Sequence, residues 1–343
     1  MKAARIHGPK DIRLETVDIP SIQSNDILVK VKACGVCGSD VHIYKSGAIS
    51  EFGRPVILGH EFSGEITRIG DAVQGLMVGD RVLGSGYRIC GKCYWCKRGQ
   101  TNRCANIAVP GHGMDGAFAE YVVVPNPSLG KQLFKIPEAL SWEEAAMVEP
   151  MSVACYAVEQ ARIKPNETVV VLGAGTIGLG VSQMAKAKGS ATVIVSEPSP
   201  KRLAIAKKLG ADIALNPKEI DVVEAVREAT SREMASVVFE CSGTPIAFRQ
   251  ALRMTQAFGR VMQVGVFEQN LELEPALLSL MTVTNLTLRG CGGRKWDMAL
   301  ELVLGGQVKT RDLITHEFSL DNAREAFITQ VNSAEAIKVL IKS

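Results

Sequence analysis

Hydrophobic positions in the first 150 residues occur in short runs that are typical of β-strands. Four of these runs read ILVKVKA, VILG, DRVLG and EYVVV, and glycine, proline or aspartate residues separate them. Runs of this length without a helical repeat predict a mostly-β domain with irregular loops over residues 1–150.

The pattern changes at Lys164, where continuous apolar runs begin to alternate with helical segments. The run VVVLG is followed by a glycine turn, a helix of small residues and a second buried run, ATVIVSE. The alternation continues to Gly290 and predicts six parallel strands in a doubly wound α/β sheet over residues 151–292. The pattern of residues 293–343 predicts two amphipathic helices and a final strand. We expect this whole segment to return to the first domain.

Composition and charge narrow the classes of protein to consider. The chain has 343 residues, of which 46% are hydrophobic and 22% charged, and this suits two packed domains. No apolar run approaches the roughly 20 residues that span a bilayer, and residues 1–10 lack the apolar core of a secretory signal. A net charge of +3 that is not gathered in a block argues against nucleic acid as a partner. We therefore expect a cytoplasmic protein that binds neither nucleic acid nor a membrane.

Four cysteines, Cys90, Cys93, Cys96 and Cys104, lie in a stretch rich in glycine and basic residues at 87–105. Gaps of two residues let the backbone turn so that successive sulfurs point inward, and four thiolates can close a tetrahedral shell around Zn²⁺. This stretch has no apolar periodicity, so we expect a lobe that a structural zinc stabilises in place of a core. Two disulfides are the alternative, which a reducing cytosol disfavours.

A glycine-rich turn follows the first strand of the α/β region and predicts a dinucleotide site. Gly173 would form the tight turn, Gly175 would let backbone amides approach a pyrophosphate, and Gly178 would let the helix pack on the strand. Glu197 lies at the end of the next strand, where a carboxylate can bind a ribose and favours NAD over NADP. An ordinary glycine turn in an α/β protein is the alternative. Further residues expected to contact the cofactor are Ile177, Arg202, Val264 and Val266.

A second set of metal-binding side chains lies outside the cysteine lobe. Cys37, His60, Glu61 and Glu149 offer a thiolate, an imidazole and two carboxylates, spread over more than a hundred residues. Three protein ligands would leave one position of a zinc ion open for water or substrate, as in catalytic zinc sites. Taken singly, Cys37 could equally be a buried thiol, His60 a core histidine and Glu149 a surface carboxylate.

The motifs around these residues occur in the order and spacing of a known family. Gly59, His60 and Glu61, with Gly64 and Gly70, form the pattern G-H-E-x2-G-x5-G, and the four-cysteine lobe and the glycine turn follow it. The chain therefore resembles the zinc-dependent medium-chain alcohol dehydrogenase family over essentially its whole length. Its motif E-P-M-S-V-A is similar to E-P-L-S-V-G of the polyol, threonine and butanediol dehydrogenases in that family.

The resemblance implies a GroES-like, mostly-β catalytic domain, a Rossmann domain that binds NAD, and two zinc ions per chain. It also implies that Cys37, His60 and either Glu61 or Glu149 hold the catalytic zinc. Because Glu61 directly follows His60, both reach one ion only if the backbone turns sharply, and we expect Glu149 to lie nearer the open position. Cys34 precedes Cys37 as in half of a zinc ribbon, but no matching second pair exists, so we interpret it as a packed thiol.

Ser39 and His42 match the family's proton-relay positions, at which a hydroxyl bonded to the substrate passes its proton outward. A helix N-cap for Ser39 and a solvated loop position for His42 are the alternatives, and neither excludes the relay. In the implied reaction, zinc lowers the pKa of a bound alcohol and hydride passes to the nicotinamide, while the relay delivers the proton to solvent.

The substrate is predicted only as a class, a secondary alcohol or polyol, with a ketone in the reverse direction. Polyol dehydrogenases of the family carry tyrosine directly after the His42 position and F-R-Y shortly after the Gly290 position. This chain has Ile43 and, at 292–294, G-G-R. These departures disfavour a sorbitol-like substrate and keep threonine or 2,3-butanediol as alternatives. Candidates for the wall of the substrate pocket are Tyr44, Phe52, Tyr156, Arg294 and Trp296.

Two other functions stay open at this point. A zinc-free reductase of the same superfamily would keep the glycine turn and lose the metal ligands, all of which are present here. A protein of another class would bind nucleic acid or protein through a zinc-ribbon lobe and sense NAD with the α/β domain. Near-neutral net charge disfavours it, and the basic residues that support it are Lys92, Lys97, Arg98 and Arg103. The resemblance also implies a homodimer or homotetramer. The strand LTLRG lies at the edge of the predicted parallel sheet, where it could pair with its copy in a second chain.

Overall fold

The chain forms two compact units. Unit 1 contains Met1–Glu149 and Ile314–Ser343, and unit 2 contains Pro150–Leu313. The structure, a computed structural model, describes residues 1–47, 55–111, 113–190 and 192–343. Within these residues no helix is both long enough and apolar enough to cross a bilayer.

Strands and helices form largely where the apolar patterns place them. The strands are β1 (Lys2–Gly8), β2 (Asp11–Thr16), β3 (Asp26–Gly35), β4 (Val56–Ile57), β5 (Glu61–Ile69), β6 (Arg81–Gly84), β7 (Val109–Pro110), β8 (Gly113–Met114), β9 (Tyr121–Pro125), β10 (Leu133–Lys135), β11 (Thr168–Leu172), β12 (Thr192–Ser196), β13 (Ile213–Leu215), β14 (Ala235–Glu240), β15 (Thr255–Gln263), β16 (Thr287–Gly290), β17 (Ile314–Ser319) and β18 (Lys338–Lys342). The helices are α1 (Gly38–Ser46), α2 (Trp142–Ala146), α3 (Val148–Ala161), α4 (Thr176–Ala187), α5 (Pro200–Lys208), α6 (Val222–Ala229), α7 (Pro245–Met254), α8 (Pro275–Val283), α9 (Trp296–Leu304) and α10 (Ala323–Asn332).

The main sheet of unit 1 has the order β10-β6-β5-β3-β18-β17, and β9 also pairs with β3. β3 lies between β5 and β18 and is antiparallel to both, so that Gly35 is opposite Glu61 on one side and Leu340 on the other. Apolar side chains such as Val29 and Phe62 are buried beneath this sheet. The last strand of the chain is therefore next to the strand that leads to Cys37.

Unit 1 also contains helices that the apolar pattern of residues 1–150 does not predict. α1 is nine residues long, which is too short to show a clear helical repeat. α2 is shorter still, but it begins with a capping box: Ser141 Oγ accepts the N–H of Glu144 at 3.2 Å and Glu144 Oε2 accepts the N–H of Ser141 at 3.4 Å. The S-x-x-E motif at Ser141 and Glu144 is the sequence feature from which this helix could have been predicted.

Unit 2 is built on a six-stranded parallel sheet in the order β13-β12-β11-β14-β15-β16. This confirms the predicted doubly wound Rossmann fold. The strand order reverses between β11 and β14, and nucleotides bind to such sheets at this position, beyond the carboxyl ends of the strands.

The sequence puts the return to unit 1 at residue 293, whereas the structure has it at Ile314. The segment with α9 stays in unit 2 because its polar groups bond there. Lys295 Nζ lies 2.9 Å from Glu159 Oε1 on α3, and the Lys309 N–H donates to Gln183 Oε1 on α4 at 2.8 Å.

Candidate metal centres and nucleotide site

The four cysteines of the lobe come together in the structure. Their sulfur atoms all lie within 4.8 Å of one another, and Cys104 Sγ is 3.5 Å from Cys90 Sγ. Zn–S bonds of about 2.3 Å place the sulfurs of a tetrahedral shell about 3.8 Å apart, so this spacing fits a zinc ion. All nine cysteines lie within the described residues and are free thiols, so the disulfide alternative is not supported.

Backbone groups favour the thiolate form in this lobe. The N–H groups of Ala105 and Cys96 lower the pKa of Cys93 to about 6, and those of Lys92 and Cys93 lower the pKa of Cys90. Desolvation and the Cys93 thiol raise the pKa of Cys96 to about 12. Thiolates are the form that binds metal, so a cation bound between the sulfurs would favour their ionisation.

The basic residues of the lobe have an explanation within the lobe itself. Zinc with four thiolates would carry net negative charge, which the lysine and arginine side chains of this segment would balance. The guanidinium of Arg98 lies 3.6 Å from the ring centroid of Tyr94, which is exposed like its neighbour Trp95. These charges therefore do not by themselves indicate a nucleic-acid surface.

Cys37, His60 and Glu61 form a second cluster, which lies within unit 1. One ligand atom from each residue lies within 4.8 Å of the other two. Cys37 directly precedes α1, His60 directly precedes β5, and Glu61 is the first residue of β5. His60 and Glu61 are only 4% and 1% exposed. Both sequence neighbours thus reach one cluster, as a shared metal ion requires.

Asp40 organises this cluster, although it lies outside the set of residues predicted from the sequence. Its carboxylate accepts the N–H of Cys37 at 3.0 Å and the N–H of Gly59 at 3.4 Å, and lies 3.8 Å from His60 Nδ1. At 3.8 Å the contact with His60 is an ion-pair contact and not a hydrogen bond, and it places a negative charge beside the imidazole ring. The available signal was its position three residues after Cys37, where an acidic side chain caps a helix N-terminus.

The electrostatics of the cluster favour a cation. Burial alone would lower the pKa of His60, but Cys37 and Asp40, with a contribution from Glu149, raise it to about 10. Burial raises the pKa of Asp40, and His60 partly opposes that shift. Thiolate, imidazole and carboxylate together are a zinc donor set, so the residues present fit that ion.

Two charged residues flank the cluster. Glu149 is 3% exposed near the start of α3, but its carboxylate does not join the cluster of Cys37, His60 and Glu61. The Nζ atom of Lys338, on β18, lies 3.0 Å and 2.6 Å from the two carboxylate oxygens of Glu61. The two partners are 277 positions apart, and no local pattern in the sequence connects them.

Ser39 and His42 both lie on α1, three positions apart, and therefore on neighbouring parts of its surface. Ser39 is half-buried and His42 is exposed. The N-cap of α1 is Cys37, so the capping alternative for Ser39 does not apply.

The five pocket candidates lie in different parts of the chain. Tyr44 is in the core of unit 1, where its ring centroid is 5.2 Å from that of Phe327. Phe52 lies outside the described residues. The other three belong to unit 2 and are Tyr156, Arg294 and Trp296.

The predicted nucleotide residues lie at the carboxyl edge of the parallel sheet in unit 2. Gly173 follows β11 with a φ of +98°, which favours glycine. A Cβ at Gly178 would overlap the carbonyl oxygen of Gly173, and a Cβ at Gly175 would meet open space. Val264 and Val266 follow β15 at the same edge, and Val266 is 85% exposed. The loop therefore leaves room beside the N-terminus of α4, where Ile177 lies.

The carboxylate of Glu197 ties the end of β12 to the glycine turn. Oε2 accepts the N–H of Ala174 at 2.9 Å, and Oε1 accepts the N–H of Ser199 at 3.0 Å. Arg202 Nη1 lies 4.0 Å from Oε2. Each carboxylate oxygen can accept a second hydrogen bond, so these contacts leave acceptor capacity for a ribose.

Comparisons with known proteins agree with this geometry. The family descriptions "Alcohol dehydrogenase GroES-like domain" and "Zinc-binding dehydrogenase" match residues 23–138 and 176–304. Sorbitol dehydrogenase of Bacillus subtilis is 35% identical over 349 residues, with coverage of 99% of this chain and 97% of that protein. L-threonine 3-dehydrogenase of Pyrococcus horikoshii is 38% identical over 321 residues, with coverage of 92% and 90%. The crystal structure of a zinc-binding dehydrogenase from Sinorhizobium meliloti bound to NADP has a TM-score of 0.91 and 34% identity, with coverage of 100% and 99%.

Proposed function

This chain belongs to the medium-chain zinc alcohol dehydrogenase family, and from this premise we propose that it oxidises a secondary alcohol or polyol reversibly with NAD. It is a zinc-dependent NAD(P) dehydrogenase of the polyol, threonine and butanediol branch of that family. The observation that carries the proposal is the cluster that half-buried Cys37 forms with buried His60 and Glu61.

We assign these three residues as ligands of the catalytic zinc, with Glu61 preferred over Glu149 because only Glu61 joins the cluster. Zinc bound there supplies Lewis acidity, which lowers the pKa of an alcohol hydroxyl. Three protein ligands leave a coordination position for substrate, and we place Glu149 beside it as a neighbouring carboxylate. We propose that Asp40 holds the Cys37 backbone through its hydrogen bond and orients the His60 ring through its charge.

Ser39 and His42 are proposed to carry the alcohol proton to solvent. Ser39 is half-buried near the first turn of α1, and His42 is exposed one turn later. This order, from partly buried hydroxyl to exposed imidazole, suits a relay that leads outward.

NAD is proposed as the cofactor because Glu197 would repel a 2′-phosphate. We expect Glu197→Gln to reduce the preference for NAD over NADP by about tenfold, equivalent to about 1.4 kcal/mol. The measurement is kcat/KM with each cofactor, and Glu219→Gln, which removes an exposed carboxylate of the same unit, is the control. An unchanged ratio in Glu197→Gln would argue against this role.

The substrate class stays at secondary alcohols and polyols, with L-threonine and 2,3-butanediol as alternatives. Ile43 and the G-G-R sequence at 292–294 differ from the polyol pattern. A panel of polyols, amino alcohols, diols and cyclic alcohols, compared by kcat/KM with NAD, would separate these classes.

A homodimer or homotetramer is proposed to form through the free edge of β16. Among the residues that the structure describes, this strand pairs with β15 alone, and it is exposed along its length. Leu288 on β16 is 43% exposed, and nearby apolar side chains such as Val283 are 77% exposed. We expect Leu288→Lys to reduce the mass measured by light scattering, because charge on an edge strand blocks pairing. Leu304→Lys, at an exposed position of α9, should leave the mass unchanged.

The proposed function as a whole is tested by metal analysis and turnover of the purified protein. We expect two zinc ions per chain, one for each cluster, and NAD-dependent oxidation of secondary alcohols. One zinc ion and no turnover with any alcohol of the panel would contradict the proposal.

A further inference from the structure

Lys338 is a buried cation that contacts the proposed metal centre from the last strand of the chain. Its side chain is 4% exposed and that of Glu61 is 2% exposed. The Lys338 Nζ atom donates to both carboxylate oxygens of Glu61, at 3.0 Å and 2.6 Å, and to the carbonyl oxygen of Val36 at 3.1 Å. One ammonium group therefore engages both oxygens of the carboxylate that we assign as a zinc ligand.

The sheet leaves a space for this carboxylate at Gly35. Gly35 lies opposite Glu61 on β5 and opposite Leu340 on β18. A Cβ at Gly35 would overlap Glu61 Oε2, and the three nearest atoms to it all belong to the Glu61 side chain. The Glu61 carboxylate thus rests against the backbone of Gly35 and is held from the other strand by Lys338.

We propose that Lys338 acts on the metal centre through Glu61: it competes for the Glu61 carboxylate and so limits how strongly that carboxylate binds a metal ion. The inference rests on the proposed function, because it takes Glu61 as a ligand of the catalytic zinc. It goes further in assigning a role to a residue that does not itself touch the ion.

The physical argument is a competition for one carboxylate. Lys338 shares the negative charge of Glu61 and repels a second cation nearby, and burial leaves this effect poorly screened. Removing the lysine charge should therefore strengthen the bond between Glu61 and a metal ion. A more strongly donating carboxylate leaves less Lewis acidity for the substrate, so turnover should fall.

Stronger metal retention together with lower turnover distinguishes competition for the Glu61 carboxylate from a role of Lys338 in packing alone. If Lys338 only joined β18 to β3, its loss would loosen the site, and both metal retention and turnover would decline. A competing lysine predicts that metal retention rises while turnover declines.

The experiment measures zinc release to excess pyridine-2,6-dicarboxylate from the zinc-loaded enzyme and three lysine variants. Cys37→Ser identifies which release phase belongs to the catalytic site. In that phase we expect Lys338→Met to release zinc about tenfold more slowly than the parent and to lose about tenfold in kcat. Lys338→Arg, which keeps the charge, should stay close to the parent. Lys342→Met, which removes an exposed lysine of the same strand, is the matched control.

Release from Lys338→Met at the parent rate or faster would overturn the proposal. Lys338→Gln provides a second test if Lys338→Met does not fold, since it also removes the charge but keeps a polar side chain at the site. It should release zinc about tenfold more slowly than the parent, and unchanged or faster release would contradict the proposal. A parent that holds two zinc ions and oxidises alcohols, with no effect of Lys338→Met on release, defeats this inference alone. A parent without zinc at Cys37 defeats the proposed function itself.

Discussion

The cysteine lobe and the Cys37 centre both gather metal-binding side chains, but the chain builds them in different ways. The lobe takes its four sulfurs from one segment, whose first and last cysteines are 14 positions apart. The Cys37 centre takes its donors from the start of α1 and the start of β5, and a lysine from β18 completes its surroundings. The lobe's cysteines are mostly part-exposed, whereas His60 and Glu61 are buried.

The number of donors and their spacing along the chain relate to the role of each site. A local cluster of four sulfurs fills a tetrahedral shell and replaces a hydrophobic core in a segment that lacks one. A dispersed cluster of three donors depends on the complete fold of unit 1 and leaves a coordination position free. Zinc would thus stabilise the lobe and serve catalysis at the Cys37 centre. Substitutions in the lobe should therefore affect stability, and substitutions at the Cys37 centre should affect activity.

The largest expected effect is on activity at the Cys37 centre. We expect Cys37→Ser to lower kcat/KM by about a thousandfold or more, beyond the 10–100-fold typical of residues that only orient a ligand. The Tm should fall by less than in the lobe variant Cys93→Ser, because the hydrophobic core of unit 1 is unchanged and only the stabilisation by the bound ion is lost. Steady-state kinetics and thermal unfolding of the same preparation measure both. A Cys37→Ser enzyme with parent activity would remove the catalytic role from this cluster.

The same substitution in the lobe should act on stability instead. We expect Cys93→Ser to lower the Tm by roughly 10 °C, because the lobe has no apolar core to replace the metal. Activity per folded molecule should stay near that of the parent at low temperature. Equal thermal stability of Cys93→Ser and the parent would show that the lobe does not depend on its metal.

A smaller effect is expected where a residue only orients a ligand. Asp40→Asn keeps the shape of the side chain and removes the charge beside His60, so we expect kcat/KM to fall about 30-fold. Asp71→Asn, an exposed position of unit 1, is the control and should have no effect. Parent-like kinetics in Asp40→Asn would mean that the His60 ring is held by other contacts.

Features carried by adjacent residues could be predicted from the sequence. The cysteine spacing predicts the lobe, and the alternation of strands and helices predicts the six-stranded sheet, because each depends on short segments. The motif around His60 predicts the buried cluster, and it left the choice between Glu61 and Glu149 open. That choice depends on the turn into β5, which places both neighbours on one cluster.

Contacts between residues that are far apart in the sequence could not be predicted in this way. Lys338 reaches Glu61 only because β18 pairs with β3, and 277 positions separate the two residues. Helix α1 and the position of Asp40 were accessible in principle, since an acidic residue at the third helical position is a capping signal. Its role beside His60 became visible only once α1 and β5 were placed together.

Zinc content measured together with alcohol oxidation in the parent, Cys37→Ser and Cys93→Ser tests the division of roles most directly. Two clusters predict two zinc ions in the parent and one in each variant, with oxidation retained by the folded fraction of Cys93→Ser and lost in Cys37→Ser. A Cys37→Ser protein that keeps both ions, or one that still oxidises alcohols, would contradict the account.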